Sequence, residues 1–401
     1  MIADNININD YNYNLPNDRI AKYPLDSREL SKLLIYNSGE IYHKKFYNLP
    51  DVLSKKDLIV FNTTKVIQAR LTFRKPTGAK IEIFCLEPYE PSDYEQIFQE
   101  TKRCKWYCAI GNFKKWKSEK IVSEFKAGDK SFILTAKKIK SENNNHIIEF
   151  FWDNEKISFA DILENAGVTP IPPYLKRESE EADKIRYQTV YSKQKGSVAA
   201  PTAGLHFTEE LISKIKSKGV NISELILHVG AGTFKPVKSD FVSEHKMHTE
   251  HFTVSKKLIK DLIENKNVVS VGTTSVRTLE SLYWMGVKLQ NNKQMNNFHI
   301  SQWEVYDIPG NLSVKKSLKN ISEYLEREKK SSLEASTQII IVPGYEFKIV
   351  KKLITNFHQP KSTLLLLIAA FIGEKWKNIY EYALKNDFRF LSYGDSSILI
   401  P

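Results

Sequence analysis

The periodicity of the apolar residues changes near residue 153, and this change limits the fold more than any other feature of the sequence. From Ile67 to Arg74 apolar and polar residues alternate strictly, which predicts a strand with one buried face. Four more segments continue in the same style, at 79–87, 104–110, 130–138 and 146–152. Several short strands with no helix between them are typical of a small antiparallel barrel or sandwich. The sequence therefore predicts a β-barrel domain over residues 68–152.

Helical and strand patterns alternate beyond residue 153. Helices are expected at 158–167, 208–219, 255–265, 273–285, 315–328 and 362–373. Strands are expected at 57–61, 222–230, 268–272 and 338–342. Because alternation of this kind is typical of α/β proteins, we expect a mixed α/β domain made of residues 1–67 and 153–401. The antiparallel β-barrel would be inserted into it.

Charge and composition indicate the class of partner. Lysine and arginine exceed the acids by 59 − 47 = +12, which favours a polyanion such as nucleic acid, although a lysine-rich chain can also reflect genome composition. Three cysteines cannot form a disulfide framework, and the first ten residues lack the pattern of a signal peptide. The longest apolar run, Leu364–Ile372, is about half a membrane span. These features predict a soluble, cytoplasmic protein with no membrane partner.

Seven of the sixteen glycines fall between residues 196 and 286, in loops of small residues. Thr202, Gly204 and His206 lie in one such loop, directly before a helix that Thr208 is expected to cap. A second loop follows a predicted strand and holds Gly230, Gly232 and Lys235. It lacks the third glycine of a dinucleotide-binding fingerprint. Loops of this kind let a substrate reach main-chain N–H groups, although a packed turn with a capping histidine is an equal alternative for the first.

Three histidines, His245, His248 and His251, are spaced three residues apart beside Glu250. Imidazole titrates near neutral pH, so they are candidates for proton transfer. On a helix they would share one broad face and could hold a metal ion. Metal sites more usually use other spacings, and no cysteine pair or aspartate cluster lies nearby. We therefore expect no metal, with a metal site on these histidines as the alternative.

Two predicted helices begin with polar residues that could bind an anion. Thr273, Thr274 and Ser275 are expected to cap one helix and direct its N–H groups at a carboxylate or phosphate. Arg277 follows one turn further on, and Glu280 lies three residues beyond it, where it could position the arginine. An ordinary capped helix is the alternative.

The second helix is too apolar for the protein surface and follows His358, Lys361 and Ser362. A buried helix with such a beginning points its positive end into a cleft. Near the end of the sequence, Asp395 follows a glycine and could belong to a turn or supply a carboxylate. Cys104 and Cys108 share one face of a predicted strand and are expected in the core.

Six of these segments occur in a recognisable order: SVAAPTAGLHFTEEL, LHVGAGTFKPV, HKMHTE, VGTTSVRTLES, PGYEF and TNFHQPKSTLLLL. Together with LPNDRIAKYPLDSRELSKLL and DLIVFNTTKVIQARL, they show that the chain resembles the S-adenosylmethionine:tRNA ribosyltransferase-isomerases of queuosine biosynthesis from about residue 13 to 400. Segments 88–120 and 287–335 look longer than the family core. Gln68 stands where the resemblance leads us to expect a proline, and Ala231 and Gln359 also differ.

The resemblance implies an α/β domain with an inserted β-barrel, in agreement with the periodicity. It implies that the ribosyl group of S-adenosylmethionine is transferred and isomerised onto the 7-aminomethyl-7-deazaguanine wobble base of tRNA. The products would be epoxyqueuosine-tRNA, adenine and methionine. S-adenosylmethionine is then a substrate, with no bound cofactor. The partner is the anticodon stem-loop of tRNA, whose unstacked bases proteins can read, and we expect a monomer.

The residues match this reaction by type. His206, His248 and His358 are expected to include a base for the carbon beside the sulfonium and an acid for the departing adenine, with Glu250 or Asp395 in support. The methionine carboxylate would suit Thr273, Thr274, Ser275 and Arg277, and Lys361 and Ser362 could bind it or a phosphate. Further substrate contacts are expected from Thr202, Gly204, Gly230, Gly232, Lys235, Arg19, Arg28 and Arg70, the three arginines serving tRNA phosphates or base edges.

Three other functions are weighed against this one. A diverged paralogue could act on another nucleic-acid acceptor. A non-catalytic RNA-binding protein is a second alternative, but it would not be expected to preserve these segments. A metal hydrolase built on residues 245–251 is the third.

Overall fold

The computed structural model describes residues 6–127, 130–142, 145–230, 237, 239–292 and 294–401. Within these residues the strands are β1 Lys32–Asn37, β2 Glu40–Lys45, β3 Asp57–Asn62, β4 Thr64–Val66, β5 Arg70–Arg74, β6 Lys80–Glu90, β7 Arg103–Gly111, β8 Lys120–Ala127, β9 Lys130–Glu142, β10 Asn145–Trp152, β11 Gly167–Val168, β12 Gln194–Ser197, β13 Asn221–Leu227, β14 Glu250–Ser255, β15 Asn267–Val271, β16 His299–Ile300, β17 Ser332–Thr337, β18 Val350–Asn356 and β19 Ser396–Ile400.

The α-helices of the same residues are α1 Leu49–Val52, α2 Tyr94–Gln99, α3 Phe159–Ala166, α4 Asp183–Arg186, α5 Glu209–Ser217, α6 Lys256–Glu264, α7 Thr273–Asn291, α8 Val314–Arg327, α9 Thr363–Ile372 and α10 Lys375–Lys385. Local sequence explains several boundaries. Thr208 Oγ1 accepts a hydrogen bond from Leu211 N, as the sequence predicts for the N-cap of α5. None of the described helices is long and apolar enough to cross a membrane.

A large mixed sheet forms the centre of the α/β domain, in the order β16-β17-β14-β13-β3-β15-β18-β19-β1-β2. Its middle strands β13, β3, β15 and β18 run parallel. Every residue of β3 is buried, because both faces of the sheet are covered. Leu58 and Val60 pack in the core with helices α6 to α10, whereas Ile59 and Phe61 pack with α5 on the other face.

The inserted segment forms a curled antiparallel sheet, in the order β11-β5-β6-β7-β10-β9-β8. Its apolar face is closed by α3, and it buries Cys104 and Cys108 as predicted. The two ends approach each other, since Arg74 N donates to Ser123 Oγ at 3.2 Å and the rings of Phe73 and Phe125 lie 5.7 Å apart. No ladder joins β5 to β8 among the described residues, so the curled sheet is established and a closed barrel is not.

Residues 338–342 depart from the prediction of a strand. These apolar residues are buried, but the strand of this region is β17, which pairs with β14 and β16. The carbonyls that follow β17 are used by side chains, because Arg277 Nε donates to Ile339 O and Tyr306 Oη to Ile340 O. The predicted strand at 338–342 is therefore wrong.

Candidate active site

A cleft of about 750 Å³ opens at the carboxyl ends of the parallel strands. Val229 follows β13, Gly272 follows β15 and Asn356 ends β18, and all three line the cleft. Ligands of open α/β sheets bind at this edge. Five residues predicted from the sequence also line it: Thr202, Thr273, Thr274, His358 and Ser362.

Helix α7 begins at the cleft. Gly272 turns the chain from β15 into α7 with a φ of +91°, which glycine adopts without strain. Among the described residues no side chain caps this helix start. The expectation that the hydroxyls cap α7 is wrong, because Ser275 Oγ is buried and donates to the Val271 carbonyl at 2.8 Å. Thr273 and Thr274 bring the first turn of the helix to the cleft wall.

Helix α9 begins at the same cleft. Ser362 is its N-cap residue, since Ser362 Oγ accepts from Leu365 N at 3.2 Å and donates to Gln359 O at 2.7 Å. Lys361 is half-buried beside it, with a φ of +56°, and lies outside the residues that line the cleft. The N-termini of α7 and α9 therefore both lie at this cleft. Their partial positive charge favours a carboxylate or phosphate ligand.

Two buried histidines belong to this region. His358 lines the cleft, with its Nε2 3.0 Å from Thr355 Oγ1. His206 lies behind Asn356, with Nε2 3.1 Å from Asn356 Nδ2 and Nδ1 2.8 Å from Ser31 Oγ. An amide nitrogen donates, so His206 Nε2 accepts and its Nδ1 donates to the serine. Burial lowers the pKa of His358 and of His206 to about 3, and both are neutral at pH 7.

Asn356 is a cleft residue that the sequence analysis missed. Its Nδ2 donates to His206 and, at 3.4 Å, to the Asp395 carbonyl. Its buried Oδ1 has no hydrogen-bond partner among the described residues. His206 therefore orients Asn356, which offers an acceptor at the cleft. The available signal was its place at the end of a buried strand, two residues before His358.

Stability should fall in mild acid because of the buried histidines. The unfolded chain binds protons near the ordinary pKa of about 6.5, whereas His206 and His358 stay neutral in the folded protein until near pH 3. Lowering the pH from 7 to 5 should therefore cost about 2 kcal/mol of unfolding free energy for each histidine. Urea unfolding at both pH values measures this loss. His358→Asn removes one of the two buried histidines, so the variant should lose about 2 kcal/mol less unfolding free energy than the wild type over this pH range. The control is His43→Asn, at an exposed histidine, which should lose as much as the wild type. Equal losses in all three proteins would contradict the account.

A side cavity of about 330 Å³ adjoins the cleft, and Leu364 lines both. His248 and Arg277 line the side cavity, beside the buried Glu250. Arg277 Nη1 donates to Glu250 Oε2 at 2.6 Å, and Glu250 Oε1 lies 3.3 Å from His248 Nε2. Burial acts to raise the pKa of Glu250, but Arg277 and His248 outweigh it and hold that pKa below its usual value. An ionised carboxylate that orients an imidazole is typical of a general base.

Arg277 does not pair with Glu280, so that expectation is wrong. The Glu280 carboxylate instead accepts N–H hydrogen bonds from Lys348 at 2.8 Å, Ile349 at 3.0 Å and Val350 at 2.9 Å, which fixes the start of β18. Arg277 Nη2 is buried and has no hydrogen-bond partner among the described residues.

His245 lies near His248, because burial and the charge of His248 both lower the pKa of His245. His251 lies on the face of β14 opposite to Glu250, and its Nε2 is 3.8 Å from Glu87 of the curled sheet. Among the described residues no three His, Cys, Asp or Glu side chains form a group that could hold a metal ion.

Two predicted site residues serve the fold. Both carboxylate oxygens of Asp395 accept main-chain N–H groups, from Lys32 and Arg389, each at 2.8 Å. Asp395 therefore joins β1 to the segment before β19, and it is not among the described residues that line the cleft. A Cβ at Gly204 would lie 1.9 Å from Tyr191 Oη, so Gly204 is required for close packing. The expected roles of Asp395 and Gly204 in the site stay predictions.

The three predicted arginines lie away from the cleft. Arg28 donates to the carbonyls of Gln188, Leu205 and Ile185, and lines a small cavity beside His206. Arg19 pairs with Asp387 at 2.6 Å, and Arg70 pairs with Glu82 at 3.6 Å. Gly230 lies next to His248, because a Cβ there would be 3.6 Å from the ring. Gly232 and Lys235 lie outside the described residues.

The fold and the cleft define the class: an α/β protein with a polar site at the carboxyl edge of its sheet, and with a curled antiparallel sheet inserted in the chain. The model of the family "Queuosine biosynthesis protein" matches residues 8–399, so the chain belongs to this family.

Two curated relatives agree with this membership. The S-adenosylmethionine:tRNA ribosyltransferase-isomerase of Sulfurihydrogenibium sp. is 39% identical over 98% of this chain and 99% of its own. The enzyme of the same name from Fusobacterium nucleatum is 39% identical over 98% of this chain and 96% of its own. The crystal structure of S-adenosylmethionine tRNA ribosyltransferase from Thermotoga maritima is 27% identical, covers 97% of this chain and 99% of its own, and gives a TM-score of 0.46.

Proposed function

We propose that this chain is an S-adenosylmethionine:tRNA ribosyltransferase-isomerase. It transfers and isomerises the ribosyl group of S-adenosylmethionine onto the 7-aminomethyl-7-deazaguanine wobble base of tRNA. The products are epoxyqueuosine-tRNA, adenine and methionine. The identity to two enzymes of this activity over nearly the whole chain supports the assignment. The observation in the structure that carries it is the convergence of Thr202, Thr273, His358 and Ser362 on one cleft.

The donor would be bound by complementary charge and hydrogen bonds. The methionine carboxylate suits the helix starts at Thr273, Thr274 and Ser362, or the unpaired Nη2 of Arg277 in the side cavity. The Oδ1 of Asn356 suits an amino group, such as that of adenine, because it is a buried acceptor without a partner among the described residues.

Proton transfer is assigned to the histidines by their surroundings. A sulfonium acidifies the hydrogens on the adjacent C5′, and His248, oriented by Glu250, is the best-placed base for one of them. The ribose ring then opens and adenine leaves, after which the amine of the acceptor base attacks and epoxide closure displaces methionine. His358 lines the cleft as a neutral imidazole that could assist the purine, whereas His206 acts by holding Asn356.

Several finer features belong to the same proposal. The acceptor is the anticodon stem-loop, and the net charge of +12 together with Arg19, Arg28 and Arg70 would attract its phosphates. The enzyme would act in the cytoplasm as a monomer without a resident cofactor. Residues 68–152 would form a closed barrel inserted between the two parts of the α/β domain.

Mass spectrometry of tRNA tests the function directly. Wild-type protein incubated with S-adenosylmethionine and tRNA carrying the aminomethyl precursor should add the isomerised ribosyl group to the wobble base. One adenine and one methionine should be released for each tRNA modified. The control is the same tRNA with guanine at the wobble position, which lacks the nucleophilic amine and should remain unchanged. A methylated tRNA, or release of adenine without a change in tRNA mass, would contradict the proposal.

A further inference from the structure

A second pocket, of about 720 Å³, lies where the inserted sheet meets the α/β domain. We call it the junction pocket, and the lining residues that matter are Lys65, Gln68, Phe98, Leu163, Thr169 and Lys195. They come from β4, α2, α3, β12 and the segments beside β5 and β11. None of them belongs to the cleft described above.

The walls of the junction pocket are held in place by the protein itself. A Cβ at Gly167 would lie 1.9 Å from Gln68 O, so only glycine permits β11 to approach Gln68 this closely. On the opposite wall the Gln188 side chain donates to Val66 O at 2.7 Å and accepts from Val66 N at 3.0 Å. The pocket is therefore preorganised for a ligand.

Two polar atoms in the junction pocket indicate a hydrogen-bonding ligand. Thr169 is only 3% exposed, and its Oγ1 has no hydrogen-bond partner among the described residues. Gln68, which stands where a proline was expected, is half-buried, and its Oε1 is a buried atom with no hydrogen-bond partner among the described residues. Buried polar groups are nearly always satisfied, so a hydroxyl and an amide oxygen left in a pocket call for donors and acceptors from outside.

The remaining lining fits a nucleotide. Phe98 and Leu163 provide an apolar surface for a flat base. Lys65 and Lys195 are paired neighbours in the β4–β12 ladder at the mouth. Lys195 forms an ion pair with Glu164, with 2.7 Å between Nζ and Oε2. Lys65 is exposed and has no ion-pair partner within the described part of the chain. A cation at the mouth and hydrogen-bonding groups within match a phosphate joined to a base.

We infer that the junction pocket binds one unstacked nucleotide of the tRNA, other than the base that reacts. The inference rests on the proposed function, because that function makes tRNA the substrate. Val66 of the junction pocket and Ala200 of the cleft belong to the same small buried cluster. One small buried cluster therefore supports the walls of both sites.

Three single variants test the inference: Gln68→Leu, Thr169→Val and Lys65→Glu. The first two remove a hydrogen-bonding group at nearly constant size and should each weaken tRNA binding about fivefold. Lys65→Glu should weaken it about tenfold and lower the dependence of log K on log salt by about one or more. The matched control is Lys315→Glu, an exposed lysine on α8 away from both sites, which should bind tRNA nearly as the wild type does.

The measurements are the Kd for precursor tRNA at several salt concentrations, the Kd for S-adenosylmethionine, and turnover at saturating tRNA. The inference predicts a change in the first only. If Lys65→Glu weakens binding but Gln68→Leu and Thr169→Val do not, the site is a phosphate contact without a bound base and the inference is overturned. Wild-type affinity in all three variants overturns it too. A wild-type protein that binds tRNA without modifying it would refute the proposed function instead, while the binding data still decide the inference.

Discussion

Replacing His248 by glutamine is expected to lower the turnover number by about 10²- to 10⁴-fold, the usual contribution of a general base. His248 is partly exposed at the side cavity, and its Nε2 lies 3.3 Å from the buried Glu250 carboxylate. Glutamine keeps a similar size and polarity but cannot take a proton near neutral pH. The Kd of S-adenosylmethionine should change little, because the loss falls on the chemical step rather than on ground-state binding.

His251→Gln is the matched control for this prediction. It changes the same residue type three positions along the chain, but His251 faces Glu87 on the other side of β14. Its turnover should stay within about threefold of the wild type, as usual for a surface substitution. Glu250→Gln should lower turnover and shift its pH profile, because it removes the charge that orients His248, and it should also lower stability because Arg277 loses its buried partner. Single-turnover kinetics at saturating tRNA measure all three, and a His248→Gln enzyme within tenfold of wild type would remove the residue from the mechanism.

The sequence predicts those parts of the fold that depend on local periodicity. The alternation from Ile67 onward places Ala69, Leu71 and Phe73 in the core of the curled sheet, as expected. Helix α9 is recognisable because it is apolar throughout, and α5 because Thr208 caps it. In each case the signal and the structure involve residues less than about ten positions apart, where helical and strand geometry dictate the pattern.

The errors arise where distant parts of the chain decide the structure. β1 and β2 are missing from the predicted strands, because β1 forms by pairing with β19, more than three hundred residues away. The same holds in the site. Glu280 is at the helical spacing for pairing with Arg277, yet its carboxylate is used by the main chain before β18. Asn356 becomes a site residue only because His206, from another segment, holds its amide.

Replacing Arg277 by methionine is expected to destabilise the protein by about 3–5 kcal/mol. The side chains of Arg277 and Glu250 are 4% and 0% exposed, and their ion pair measures 2.6 Å. Without the guanidinium the Glu250 carboxylate would be a buried charge with one weak partner left, His248. The loss should be measurable by urea unfolding at pH 7, alongside loss of turnover from a misplaced His248.

A double variant distinguishes the stability cost of an unpaired buried charge from the cost of lost packing. Arg277→Met with Glu250→Leu removes both charges, and its stability should return to within about 2 kcal/mol of the wild type, because well-packed apolar pairs replace buried ion pairs at little cost. The exposed pair of Lys385 and Glu381 provides the control, since Lys385→Met should cost less than about 0.5 kcal/mol. If the double variant is as unstable as Arg277→Met, the destabilisation comes from packing and the buried charge is not its cause.

The pH dependence of stability gives a second test of the Arg277→Met prediction. In the wild type the pKa of Glu250 lies below its usual value. Ionised Glu250 therefore adds stability at pH values above the pKa that it has in the unfolded chain. This stability is lost as the pH falls through the pKa of Glu250 in the folded protein. In Arg277→Met burial is no longer outweighed, and the pKa of Glu250 should rise above the unfolded value. In the variant the ionised Glu250 therefore destabilises the folded state, and protonation of Glu250 relieves this cost. The difference in unfolding free energy between wild type and variant should narrow as the pH is lowered from 7 to 5. A difference that stays constant over this range would show that Glu250 does not become an unpaired charge when Arg277 is removed.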